Sequence, residues 1–99
     1  MASIIRGTTP TLKYTFNDIQ VSDITAAYLT IKAKETIEKD LSVATVGQKD
    51  LSWKLTQAET IDFGDSISVM INWKLQDGTR GASEKTTIRV DENYKETEI

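Results

Sequence analysis

The stretch from Leu51 to Leu75 constrains the fold more than any other. LSWKL and SISVMINWKL flank a polar corner, TQAETIDFGD. Both flanks alternate apolar and polar residues, the period of a strand with one face in a core and the other in water. Leu51, Trp53 and Leu55 share one face of the first flank. Ile67, Val69, Ile71, Trp73 and Leu75 share one face of the second, the longest alternation in the chain. Between them Thr56-Gln-Ala-Glu59 has the form of a capping box, in which the threonine oxygen accepts from the Glu59 amide and the carboxylate reaches back. Gly64 is expected to stop the resulting short helix, with Ile61 or Phe63 plugging the end of the core.

The same period organises the rest. Ser3 to Arg6 reads as a short edge strand and Gly7 to Pro10 as a bend, since proline has no N–H for a ladder. Leu12, Tyr14 and Phe16 then alternate with Thr11, Lys13 and Thr15. Asn17, Asp18, Ser22 and Asp23 mark turns, leaving Ile19, Val21 and Ile24 to close one end of the core. Ala26 to Ala33 points Ala27, Leu29, Ile31 and Ala33 inward and Tyr28, Thr30 and Lys32 outward. Thr36 to Thr45 fits neither period throughout, and its charges facing water suit a bent edge strand. Val46 to Asp50 turns into LSWKL. QDGTRG reads as a hairpin loop with Asp-Gly chemistry, and Glu84 to Val90 returns with Thr86, Ile88 and Val90 inward.

About seven strands and one short helical corner predict an all-β domain. The architecture expected is a two-layer antiparallel β-sandwich with an immunoglobulin-like Greek key, and a small closed barrel is the structural alternative. Residues 1–90 form the domain and 91–99 an acidic tail. The composition agrees: 38% hydrophobic against 27% charged residues is a globular balance, with too many apolar residues for a disordered chain, and without cysteine the fold must stand on packing.

Charge and residue chemistry narrow the function. The net charge of −3 equals that of the tail, where Asp91, Glu92, Glu96 and Glu98 oppose Lys95. No basic excess remains to attract phosphate backbones, so no nucleic-acid partner is expected. The longest apolar run, Ala26 to Leu29, is far short of a bilayer span, and no signal peptide is expected at the start. With no histidine and no cysteine, neither a Ser-His-Asp or Cys-His system nor an ordinary zinc or copper site can be assembled.

The acid pairs Asp62/Asp65, Glu35/Glu38 and Asp91/Glu92 fall in corners, edges or the tail and read as solvated turn acids. Asp62-Phe-Gly-Asp65 offers two oxygens to Ca²⁺ but lacks the rest of an EF-hand loop. Gly78-Thr-Arg-Gly81 matches the GxxG of KH domains, yet strands flank it instead of helices. Trp53 and Trp73 suggest a sugar-stacking platform, but both sit on the apolar phase and read as core. No catalytic, metal or cofactor residues are assigned.

Arg6-Gly-Thr-Thr-Pro-Thr-Leu12 and Leu55-Thr-Gln-Ala-Glu-Thr60, with the alternating strand and D-G-T hairpin that follow, resemble small virion proteins of tailed bacteriophages and prophages. The N-terminal domain of phage baseplate upper proteins is among them. The resemblance implies a β-sandwich module of a tail, baseplate, neck or head decoration that assembles and does not catalyse, made in the bacterial cytoplasm and carried in the virion. Its implied partners are other virion proteins or further copies of itself, without nucleic acid or membrane. Arg6, Thr8, Thr9, Tyr28 and Tyr94 are the candidate contact residues, with Ser3 to Pro10 and Asp91 to Ile99 as arms for strand addition. The alternative reading is a carbohydrate-binding or adhesin-like sandwich.

Overall fold

The computed structural model describes residues 3–99. Its nine strands are β1 (Ile4–Ile5), β2 (Thr11–Thr15), β3 (Ile24–Lys32), β4 (Thr36–Asp40), β5 (Thr45–Val46), β6 (Asp50–Lys54), β7 (Ser66–Leu75), β8 (Arg80–Ala82) and β9 (Thr86–Asp91), with one helix, α1 (Gln57–Ile61). They form a mostly-β domain of two sheets with one short helical corner. The larger sheet runs β1-β9-β7-β3-β4, with β8 also on β7, and the smaller runs β2-β6-β5.

Alternation sets which residues enter the core. Leu51 and Trp53 of β6, Leu55 just after it, Ala27, Leu29 and Ile31 of β3, and Ile67 and Ile71 of β7 are all buried, so both sheets share one hydrophobic cluster. Val21 and Ile24 close one end and Phe63 the other, while Ile19 and Ile61 stay half-buried. Trp53 is fully enclosed, and its indole N–H donates to the Asp40 carbonyl at 3.0 Å, tying β6 to the end of β4. Tyr14, Phe16 and Trp73 form an aromatic cluster with centroids 4.9 to 5.7 Å apart, which fastens β2 to β7.

The strands differ from the sequence expectation in three ways. Thr36 to Thr45 is not one bent strand. Asp40 caps a single 3₁₀ turn, Leu41–Val43, by accepting from the Ser42 amide, and the chain thereby leaves the larger sheet to form β5 on the smaller one. The QDGTRG segment is only partly loop, since Arg80–Ala82 already pairs with β7. A three-residue turn, Gln76 to Gly78, closes the hairpin, with Leu75 N–H to Thr79 O at 2.8 Å and Gly78 at φ +89°. The pairing is also not wholly antiparallel, because β1 runs parallel to β9.

Between β8 and β9 the register on β7 slips by one residue, from Ala82↔Asn72 to Thr86↔Val69. The extra residue makes a β-bulge at Glu84–Lys85 opposite Met70. Ser83 stabilises it: the Ile71 amide donates to Ser83 Oγ at 2.9 Å, where a regular ladder would offer the carbonyl.

The capping box forms as expected, with Glu59 N–H to Thr56 Oγ1 at 3.2 Å and Thr56 N–H to Glu59 Oε1 at 2.8 Å. Gly64 does not supply a left-handed cap. Among the described residues only Gly7 and Gly78 have positive φ, and α1 ends through Asp62 in a right-handed helical conformation with Phe63 N–H bonded to Thr60 O.

Candidate interaction surfaces

The N-terminal candidates converge on a junction of the two arms with the corner. After β1 the chain turns through Gly7, whose φ of +83° suits glycine. Arg6 thereby reaches the corner: Nε donates to Phe63 O at 2.9 Å and Nη2 to Gly64 O at 3.2 Å. Its guanidinium also lies 3.6 Å from Asp65 and 3.5 Å from Glu96. Thr8 Oγ1 donates to Ile5 O at 2.6 Å, and the Thr8 carbonyl accepts from the fully buried Thr60 hydroxyl at 2.7 Å. Arg6 and Thr8 therefore spend their polar groups inside the molecule. Thr9 is exposed.

The tail is held back along this junction. Asn93 Nδ2 donates to Arg6 O at 2.8 Å, and the Gln57 side-chain amide pairs with the backbone of Ile99. Tyr94 is 99% exposed and takes no part in holding the tail. Asp91 is held below the ordinary carboxylate range by hydrogen bonds from Arg89 and Ser3. Both arms are thus docked.

At the corner's other side Lys39 of β4 pairs with Glu59 at 2.8 Å, linking the edge strand to the capping box. Partial burial pushes the Glu59 carboxyl up. The Lys39 hydrogen bond and charge, with the Thr56 amide, outweigh it and hold Glu59 below its ordinary value.

Tyr28 lies apart from all of this, on the outer face of the larger sheet, level with Asp40 of β4 and Asn72 of β7. It borders a shallow hollow of about 290 Å³ with Ala26, Asn72, Lys74 and Arg80, and Arg80 donates to Asn72 Oδ1 at 3.2 Å. A second hollow of about 310 Å³ adjoins it, lined partly by Thr30, Met70 and Ser68, whose buried hydroxyl has no partner. The structure thus separates the candidates: Arg6 and Thr8 act in the junction, Tyr28 stands on another face, and Tyr94 projects from the tail.

The acid pairs stay on the surface. Asp62, Asp65, Glu35, Glu38 and Glu92 are exposed, and Asp65 neighbours Arg6. Trp53 has no accessible face, and Trp73 packs on Tyr14 and Phe16. Gly81 lies under the Trp73 indole: a Cβ there would sit 2.5 Å from the ring. The second glycine of GxxG is therefore a packing residue. No helix among the described residues is long and apolar enough to cross a membrane.

Sequence reasoning missed one surface, the outer edge of β2. Leu55 N–H donates to Pro10 O at 2.8 Å and Phe16 N–H to Lys49 O at 2.7 Å, which fixes the parity of the β2·β6 ladder. Leu12 and Tyr14 turn their backbone groups toward β6, and Thr11, Lys13 and Thr15 turn theirs outward. No strand takes up that edge among the described residues. No protein-family model and no curated protein matches this sequence.

Proposed function

We propose that this chain is an immunoglobulin-like Greek-key sandwich acting as a non-enzymatic assembly module of a phage or prophage particle through protein–protein contacts. The strand order supports the fold half of this reading. The order β9-β7-β3-β4 parallels the G-F-C-C′ sheet of variable-type immunoglobulin domains, and β2-β6-β5 parallels B-E-D. The observation that carries the functional half is that each sheet ends in a five-residue strand, β2 or β4, with no strand on its outer side. Unpaired edges are templates for another chain. The phage assignment rests on the resemblance of RGTTPTL and LTQAET.

The carbohydrate-binding alternative loses one of its two tryptophans, because Trp53 is enclosed, while the half-buried Trp73 packs on Tyr14, Phe16 and Gly81. The test is to raise antibodies to the purified protein and probe particles released on prophage induction of the strain that encodes it. Stoichiometric labelling of particles is expected. A chain found only outside the particle fraction overturns the proposal.

A further inference from the structure

We infer that the free edge of β2, with the trough beneath it, accepts an extended strand from a partner polypeptide. The inference rests on the reading that the chain works through protein contacts, and names the partner's chemistry. The two sheets are unequal in width, five strands across against three. Neighbouring strands lie about 4.8 Å apart, so the smaller sheet falls roughly two strands short. Tyr14 and Phe16 set β2 over β7, and the Trp53 bond to Asp40 sets β6 toward β4. The shortfall therefore falls over β9 and the adjoining half of β7.

A trough of about 520 Å³ lies there. Leu12 and Tyr14 form its β2 wall, Val69, Ile71, Thr86 and Ile88 line the larger sheet's side, and Ser83 and Glu84 of the bulge border it. Leu12, Tyr14, Val69 and Thr86 are only half-buried. A strand added beside β2 would bond to the outward backbone groups of Thr11, Lys13 and Thr15. Its residues opposite Leu12 and Tyr14 would point into the trough and must be apolar. The residue between them would face outward beside Lys13, the one charged side chain on that phase of β2; its ammonium lies 3.4 Å from Asp50, but the side chain is 59% exposed, and an acid there would share it with Asp50. A second copy pairing antiparallel about Lys13 would set two lysines directly opposite, which disfavours self-association in that register. The occupant is therefore a foreign segment reading apolar-acidic-apolar.

The probe is the capped heptapeptide Ser-Thr-Val-Glu-Val-Thr-Ser, titrated into the ¹⁵N-labelled full chain with amide exchange measured throughout. In the free protein the Leu12 and Tyr14 amides should be protected and those of Thr11, Lys13 and Thr15 open. Peptide should slow exchange at these three by about tenfold or more. Lys13→Pro removes an amide the intramolecular ladder does not use, and should abolish the effect. If that variant fails to fold, Thr86→Arg, which fills the trough, should abolish it instead.

The peptide Ser-Thr-Glu-Glu-Glu-Thr-Ser, which drives an acid into the trough in either register, should not bind. No protection at millimolar peptide, or protection at β4 instead, overturns the inference. Protection that appears without peptide and grows with protein concentration, with dimers by light scattering, also overturns it in favour of a second copy. A chain that takes the peptide but is missing from particles refutes the phage reading alone, and a chain in particles with an inert β2 edge refutes the acceptor alone.

Discussion

Gly81→Ala offers a test in which two effects of opposite sign compete. Replacing a strand glycine with alanine ordinarily stabilises by about 0.4–1 kcal/mol, because the unfolded chain loses freedom. Gly81 has an unremarkable φ, so the backbone gives no reason to expect otherwise. The packing does, since the new Cβ would lie 2.5 to 2.6 Å from three atoms of the Trp73 ring, about 1 Å inside ordinary van der Waals contact. The ring cannot simply withdraw. Phe16 meets it edge-on at 5.0 Å and Tyr14 lies 5.7 Å away, so displacement drives it into the cluster joining the sheets. Overpacking of this kind costs about 1–3 kcal/mol, which exceeds the entropic gain. The net expectation is a loss of about 1–2 kcal/mol, or a Tm lower by roughly 4–15 °C for a domain of this size. Urea denaturation followed by tryptophan fluorescence, with a thermal scan by circular dichroism, measures it. A second variant, Trp73→Leu, supplies the control: Gly81→Ala in that background should be neutral or stabilising. A stabilised Gly81→Ala single variant would refute the close approach and with it the account of the GxxG sequence.

Arg6→Ala should cost about 1.5–3 kcal/mol, because the guanidinium bonds two corner carbonyls from a side chain only 16% exposed, and Arg6→Lys should recover little of it without the fork; chemical denaturation reads both. Thr56→Ala removes the N-cap of α1 and should cost about 1 kcal/mol by the same assay. Glu59 has a folded-state pKa below its ordinary 4.5, so its stabilising contribution is present above that value and lost as the pH falls through the folded pKa; Glu59→Gln should lower stability at pH 7 and flatten the acid limb of the stability–pH curve. Trp53→Phe leaves the Asp40 carbonyl without its indole donor in an enclosed site and should destabilise by about 1–3 kcal/mol, measured as a shift in the urea midpoint at constant m.

Most of the fold was legible because it is written in period two. Leu51, Trp53, Leu55, Ile67 and Ile71 are buried where the alternation places them, and the Thr56–Glu59 box is a local motif whose partners are three residues apart. The departures come from long-range pairing. Thr36 to Thr45 carries no local sign that its two halves join different sheets. That division depends on Asp40 capping a turn and on Trp53, thirteen residues on, holding its carbonyl. Gly64 looked like a left-handed stop because glycine follows a short helix, yet its carbonyl is needed by Arg6, 58 residues away in sequence. Among the candidate contacts Arg6, Thr8, Thr9, Tyr28 and Tyr94, residue type and position in the chain are all that the sequence offers for Arg6, Thr8 and Tyr94. Nothing in the chain's order announces that the first two are consumed within the molecule, or that Asn93 holds the tail.

The two free five-residue edges are not equivalent. The β4 edge carries Glu38, Lys39 and Asp40 in succession, and alternating charge on an exposed strand discourages pairing. Its groups are also engaged: Lys39 is held by Glu59, the Asp40 carboxylate by Ser42 and the Asp40 carbonyl by Trp53. A strand arriving there would meet charges, and the hollow of about 210 Å³ beside Ile37 is bordered by Glu35, Glu59 and Asp62. The β2 edge has one outward lysine between threonines, 59% exposed beside its Asp50 partner, no bulge within its five residues, and a trough flanked by half-buried apolar groups. Apolar area left half-exposed weakens a small domain at roughly 25 cal/mol per Å², and Leu12, Tyr14 and Val69 all stand in that position. Covering them would gain burial and ladder hydrogen bonds together. Of the two edges, β2 is therefore the one whose occupation adds most to stability. Peptide that binds there should raise the Tm of the full chain in proportion to ln(1 + [L]/Kd), whereas peptide binding at β4 should not depend on Leu12 or Thr86.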